Sequence, residues 1–218
     1  MRTASPDTLP NLAIDLASIG TIGYFWKREL DGQEKRLRRI SMGAAISKLR
    51  VQPLGGELMG KSVKLVELRS GRDTFGESAR RVVVVCAEAA ALGPSLAKAR
   101  AYSQRLSDAD LLIVPMITSG NTFQLPPPEL VRGAEGDADA DAVGHLALAQ
   151  GLDTWGDVLK EELEVAISQD ADVAARGFTL ILKKNGRVGT RRLGLPEWDA
   201  LVDDVANRKA AGLDTTNI

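Results

Sequence analysis

Arg81–Cys86, RVVVVC, followed twenty-five residues later by Leu111–Ile117, LLIVPMI, decides the fold of this chain. Each stretch is a continuous apolar run of strand length, and the first is almost wholly β-branched. A strand that alternates apolar and polar residues faces water on one side; one that does not alternate is buried on both. Between the two runs, Gly93-Pro94-Ser95 opens a helix, with proline in the first turn, where a missing N–H costs nothing. Leu92, Leu96, Ala99, Tyr102 and Leu106 give that helix one apolar side. Strand, helix and strand, with both strands buried, make a βαβ unit with a parallel pair.

Downstream, Thr154–Ser168 reads as an amphipathic helix with Trp155, Val158, Leu159, Leu163 and Val165 or Ala166 inward. Asp153, Asp157, Glu161, Glu162 and Glu164 read as its solvated face, or as a surface complementary to a basic one. Phe178–Lys183 and Val188–Leu193 flank Lys184-Asn185-Gly186-Arg187, and Asn-Gly between two β runs signals a hairpin. Pro196 opens a last helix through Asn207, with Trp198, Leu201, Val202 and Val205 on one face. The order β-α-β-α-β-β-α over residues 81–207 is that of a thioredoxin-like α/β core, within a domain of residues 61–207. An N-terminal helical extension, residues 1–60, and an extra strand at Lys61–Arg69 are added to it. Ser70–Ser78 reads as a loop, residues 118–151 as a flexible acidic insertion carrying Pro126-Pro127-Pro128 and Asp137–Ala142 (DADADA), and 208–218 as a frayed tail.

Upstream stands Tyr24–Val51, YFWKRELDGQEKRLRRISMGAAISKLRV. Three aromatics run into a helix with Leu30, Leu37, Ile40 and Ala44 on one face. Eight basic residues against three acidic ones leave a local excess of five positive charges, in a chain whose net charge is −1. An imbalance this local marks a docking surface for an acidic protein or a membrane face. Core packing of Tyr24, Phe25 and Trp26 is the plainer expectation for an aromatic cluster. A chain with a pI of about 6.0 is not a general nucleic-acid binder. Leu12–Trp26 is too short, and interrupted by Asp15, to span a bilayer. MRTASPDTLP has no apolar core, so no secretory leader is expected.

Four motifs invite chemistry. Gly55–Ser62, GGELMGKS, matches the phosphate-cradling pattern G-x-x-x-x-G-K-[ST], with Lys61 for the phosphates and Ser62 for Mg²⁺. Its context is wrong: Pro53 precedes it and a β-like stretch follows, where a helix N-terminus is needed. Cys86, the single cysteine, lies near where a thioredoxin-like fold carries its nucleophile. It has no C-x-x-C partner, and Ala174-Ala175-Arg176-Gly177 offers no proline to face a thiol, so an inert, buried cysteine is expected. Asp137, Asp139 and Asp141 begin a calcium-loop pattern, but Ala142 stands where glycine is required and Leu148 where glutamate is. His145 is the only histidine and has no Cys or His partner, so neither a zinc site nor a triad is expected.

FWKRELDGQEKRL (Phe25–Leu37) and KKNGRVGTRRLGLPEW (Lys183–Trp198), with the Arg81–Tyr102 and Leu111–Pro115 stretches, resemble the Low Photosystem II Accumulation-like proteins of chloroplasts and cyanobacteria. The resemblance covers about two thirds of the chain. It implies a non-catalytic, peripheral protein on the stromal side of the chloroplast thylakoid, serving photosystem assembly or accumulation. Its partners would be photosystem subunits or assembly intermediates, with the thylakoid surface as a further contact and no nucleic acid. It supplies no catalytic, cofactor-binding or metal-binding residues. The founding members have transmembrane helices and this chain shows no such stretch, so membrane insertion does not carry over. On this reading Tyr24, Phe25, Trp26, Lys27, Arg28, Lys35, Arg36, Arg38 and Arg39 form the docking surface. The competing expectations are a single-cysteine thiol oxidoreductase or peroxidase using Cys86, and a nucleotide-binding protein using Gly55–Ser62.

Overall fold

The computed structural model describes residues 8–68, 79–133, 143–169 and 172–215; the side chains of residues 8–18, Lys35, Arg38, Arg39 and Ala174 lie outside that description. The chain divides into two compact units, Met1–Met42 and Gly43–Ile218.

The first unit is most of one helix, α1 (Thr8–Lys48). Six of its large apolar residues do not reach a core: Tyr24, Phe25, Trp26, Leu30, Leu37 and Ile40 are all more than half exposed. The expectation of a core-packed aromatic cluster therefore fails. Tyr24 and Phe25 meet each other edge to face instead, 5.9 Å between centroids.

The second unit is built on the two apolar runs. They form β3 (Arg81–Ala87) and β4 (Leu111–Ser119), paired in parallel from Arg81↔Leu111 to Ala87↔Ile117. Every residue of β3 is buried, as a non-alternating run requires. The connection is α2 (Ala89–Ala101) and α3 (Ser103–Asp108), broken at Tyr102. α2 starts four residues before the Gly93-Pro94 signal, with Pro94 inside it. Ala89-Ala90-Ala91 is strong helix former, and so close to the start proline removes only one bond.

β7 (Phe178–Leu182) runs antiparallel to β3, and β8 (Val188–Leu193) closes the hairpin through Asn185-Gly186, where Gly186 takes the left-handed φ of 80° that the turn needs. The sheet order is β5-β4-β3-β7-β8, with β5 (Thr122–Gln124) a short edge strand. α5 (Leu152–Gln169), the short α6 (Val173–Arg176) and α7 (Trp198–Ala210) complete the body. Val83, Val85 and Ala87 share a buried cluster with Leu92 and Leu96 of α2 and Trp198, Val202 and Val205 of α7. The Trp198 indole N–H donates to Ser95, at 2.9 Å to its carbonyl and 3.1 Å to its hydroxyl, and so ties α7 to α2.

A second sheet, β2-β1-β6, lies outside the sequence expectation. β1 (Arg50–Pro53) pairs antiparallel with β6 (Ala147–Gln150) and with the two-residue β2 (Val63–Lys64). Lys61–Arg69 is therefore not one strand: after Lys64 the chain turns into a 3-10 helix, Leu65–Leu68. Nor is 118–151 wholly an insertion, since it supplies β5, β6 and α4 (Pro128–Arg132), with Pro127 at the N-cap and Pro128 in the first turn. Ser70–Ser78 and Asp137–Ala142 lie outside the described residues. The tail is not free up to Thr215, whose carbonyl accepts a 2.6 Å hydrogen bond from the Arg81 guanidinium.

Candidate functional site

In this architecture a reactive group would stand where β3 gives way to α2 and where β7 begins. Cys86 is the next-to-last residue of β3, fully buried, with Met116 beside it on β4 and Phe178 on β7. Burial pushes its thiol well above the ordinary range, and the Glu162 charge adds to the effect. The first turn of α2 holds Ala89, Ala90 and Ala91 behind Glu88, so the helix N-terminus presents no thiol.

Gly177, the residue between α6 and β7, closes the site. It takes φ 77°, and a Cβ there would lie 2.6 Å from the Cys86 carbonyl oxygen and 2.8 Å from the Ala87 Cβ. Only glycine fits, both in dihedral and in space. Among the described residues every peptide bond is trans. The Gly177 carbonyl accepts from the Gly194 N–H at 2.8 Å, and the Thr179 hydroxyl donates to the Gly194 carbonyl at 2.9 Å, so the end of the hairpin is locked over the cysteine.

Glu162 of α5 corrects the reading of that helix. It is buried, not on a solvated face, and its carboxylate is gripped by the Arg191 guanidinium of β8, with Nε at 2.8 and 2.9 Å and Nη2 at 2.7 Å. Helical spacing carried the signal: Trp155, Leu159, Glu162 and Ala166 step by four, three and four along the buried stripe. The pair borders a groove of about 40 Å³, room for a water or two, which Phe178, Val165 and Arg192 also line.

The phosphate-like loop does not form a cradle. Gly55–Gly60 is bends and turns, and β2 follows in place of a helix. The Ser62 hydroxyl accepts from Arg50 Nε at 3.0 Å, which puts a cation where Mg²⁺ would be needed. His145 is buried, with neither ring nitrogen paired among the described residues. Burial first and the Arg100 charge second bring its pKa down to about 4. No group of three or more His, Cys, Asp or Glu able to hold a metal occurs among the described residues. Of the surface expected to dock, Tyr24, Phe25, Trp26, Lys27, Arg28 and Arg36 are exposed on α1. The side chains of Lys35, Arg38 and Arg39 lie outside the described residues. No described helix is long and apolar enough to cross a membrane.

The strand order, the parallel β3–β4 pair and the antiparallel β7–β8 hairpin define a thioredoxin fold, as the sequence order of elements anticipated. No protein-family model and no curated protein matches the chain. Solved structures do. A Xanthomonas campestris peroxiredoxin Q matches at 12% identity and TM-score 0.42, over 76% of this chain and 94% of its own. A reduced Plasmodium vivax 2-Cys peroxiredoxin matches at 9% and 0.41, over 75% and 92%. BsSco, of the Sco family of cytochrome c oxidase assembly proteins, matches at 13% and 0.43, over 76% and 93%. These matches overturn the expectation of a photosystem-associated protein. They are peroxiredoxins and a Sco protein, and nothing in them points to a photosystem. At such identities they carry no activity across to this chain.

Proposed function

We propose that this chain is a thioredoxin-fold protein whose body does no thiol chemistry and serves as a rigid binding scaffold. The observation that carries the reading is Cys86, sealed within the sheet under Gly177 and held in its neutral form by burial, while the first turn of α2 carries alanines. A nucleophilic cysteine needs access and a stabilised thiolate, and Cys86 has neither.

A single-cysteine peroxidase is the second reading. The observation in its favour is the placement of Cys86 at the end of β3, three residues before α2 begins. One experiment decides between them. Native protein is mixed with hydrogen peroxide or a small alkyl peroxide and a thiol reductant, and turnover is compared with that of Cys86→Ser. The same protein is exposed to iodoacetamide near neutral pH, folded and in denaturant. The scaffold reading expects equal background turnover in both proteins, and labelling only after unfolding. Peroxide consumption lost in Cys86→Ser, with fast labelling of the folded protein, would overturn it in favour of the peroxidase.

A further inference from the structure

Along α1, Ile19, Trp26, Gln33 and Ile40 recur every seven residues. Gly23, Leu30, Leu37 and Ala44 each follow one of them by four. Alternating steps of four and three are the seam of a two-stranded coiled coil. The large residues of the seam are 55–69% exposed. An apolar stripe of this length is rarely left in water. Tyr24, Phe25, Arg28, Lys35, Arg38 and Arg39 fall outside both the seam and its flanks.

The flanking positions say what covers it. They carry Lys27 and Glu34 on one side of the stripe, and Glu29 and Arg36 on the other. Two copies of α1 running parallel would set Glu29 against Glu34 of the second copy, twice. They would also stack Trp26 on Trp26 and leave Gly23 facing Gly23. Two copies running antiparallel, with Leu30 opposite Gln33 of the second copy, reverse each of these conflicts. Lys27 then faces Glu34, and Glu29 faces Arg36, each pair made twice by the two-fold axis. Gly23 lies opposite Ile40 and Ala44 opposite Ile19, so small residues meet large ones. Gln33, the one amide in the seam, donates to Glu29 of its own helix at 3.5 Å.

We propose that α1 is a self-association element: it pairs with α1 of a second copy of this chain as an antiparallel coiled coil centred between Leu30 and Gln33. The proposal stands whether or not Cys86 reacts.

Sedimentation equilibrium of the full chain tests it, at concentrations up to about 100 µM. The wild type is expected to be a dimer. Glu29→Lys should loosen it by about tenfold, because two attractive pairs become repulsive. The double change Glu29→Lys with Arg36→Glu should restore the wild-type constant. Leu30→Asp with Leu37→Asp should give a monomer, and because both positions are exposed the circular dichroism of the body should be unchanged. A wild type that stays monomeric would overturn the proposal. So would a Glu29→Lys dimer that is tighter, the mark of a parallel pair, or one that is unchanged, the mark of a seam whose flanks do not pair this way.

Discussion

Two residues of the body carry consequences out of proportion to their size. His145 holds a neutral ring with a pKa of about 4, against 6.5 for a free imidazole. The unfolded chain therefore binds a proton that the folded one refuses, and stability rises with pH. The contribution is whole above about pH 6.5 and is lost as the pH falls from there to about 4, a loss on the order of 3 kcal/mol. In urea unfolding at pH 7 and at pH 4.5, His145→Gln should lose less stability between the two than the wild type does. Equal losses would mean that the ring stays hydrated in the folded state. Gly177 is the other. Gly177→Ala adds a Cβ against the Cys86 carbonyl at a left-handed φ, and should destabilise the body by about 2–3 kcal/mol in the same assay. Neither residue announced its role. A lone histidine shows only that it lacks ligand partners, and the need for glycine at 177 arises from a strand ninety residues earlier in the chain.

Between elements, the Glu162–Arg191 clamp joins α5 to β8, one of the two edge strands of the larger sheet. Arg191→Ala leaves a buried carboxylate without its cation and should cost about 3 kcal/mol. Replacing both residues, Glu162→Leu with Arg191→Met, should recover most of that loss in a double-mutant cycle, because the apolar pair has no charge to desolvate. If the double variant is as unstable as the single one, the ion pair does more than compensate for its own burial. Elements differed in how plainly their sequences spoke. β3 and β4 were legible because a β-branched run buried on both faces has no competing reading, and the hairpin because Asn-Gly admits few turns. β1 and β6 were not, because four residues such as RVQP or ALAQ become strands only by pairing with each other across about a hundred residues. Glu162 was misplaced because its charge outweighed its position on the buried stripe. On α1 the aromatics Tyr24, Phe25 and Trp26, expected in a core, stand exposed instead, because nothing in a helical period tells a stripe that packs from one left bare; the partner assigned to them came from family resemblance alone.

The whole molecule separates a folded body, Gly43–Ile218, from the helical unit before it. The body holds the two sheets and the buried cluster, with Ile46, Leu49 and Val51 at its N-terminal end all buried. A chain beginning at Gly43 should therefore unfold in one cooperative thermal transition, within a few degrees of the midpoint of the full chain. A broad, early transition would show that the body needs α1 to fold.

The body's order of strands has a further consequence, in time. β3 is the middle strand of the larger sheet, yet its partner on one side, β7, lies ninety-one residues downstream of its last residue. At ordinary ribosomal speed that gap lasts roughly 5–20 s. During it a strand of four consecutive valines stands with one edge unpaired, and the backbone carbonyl of Thr215 that finally holds Arg81 is made later still. A nascent chain in that condition is a natural client for a holdase, and slow codons placed after β3 would lengthen its exposure.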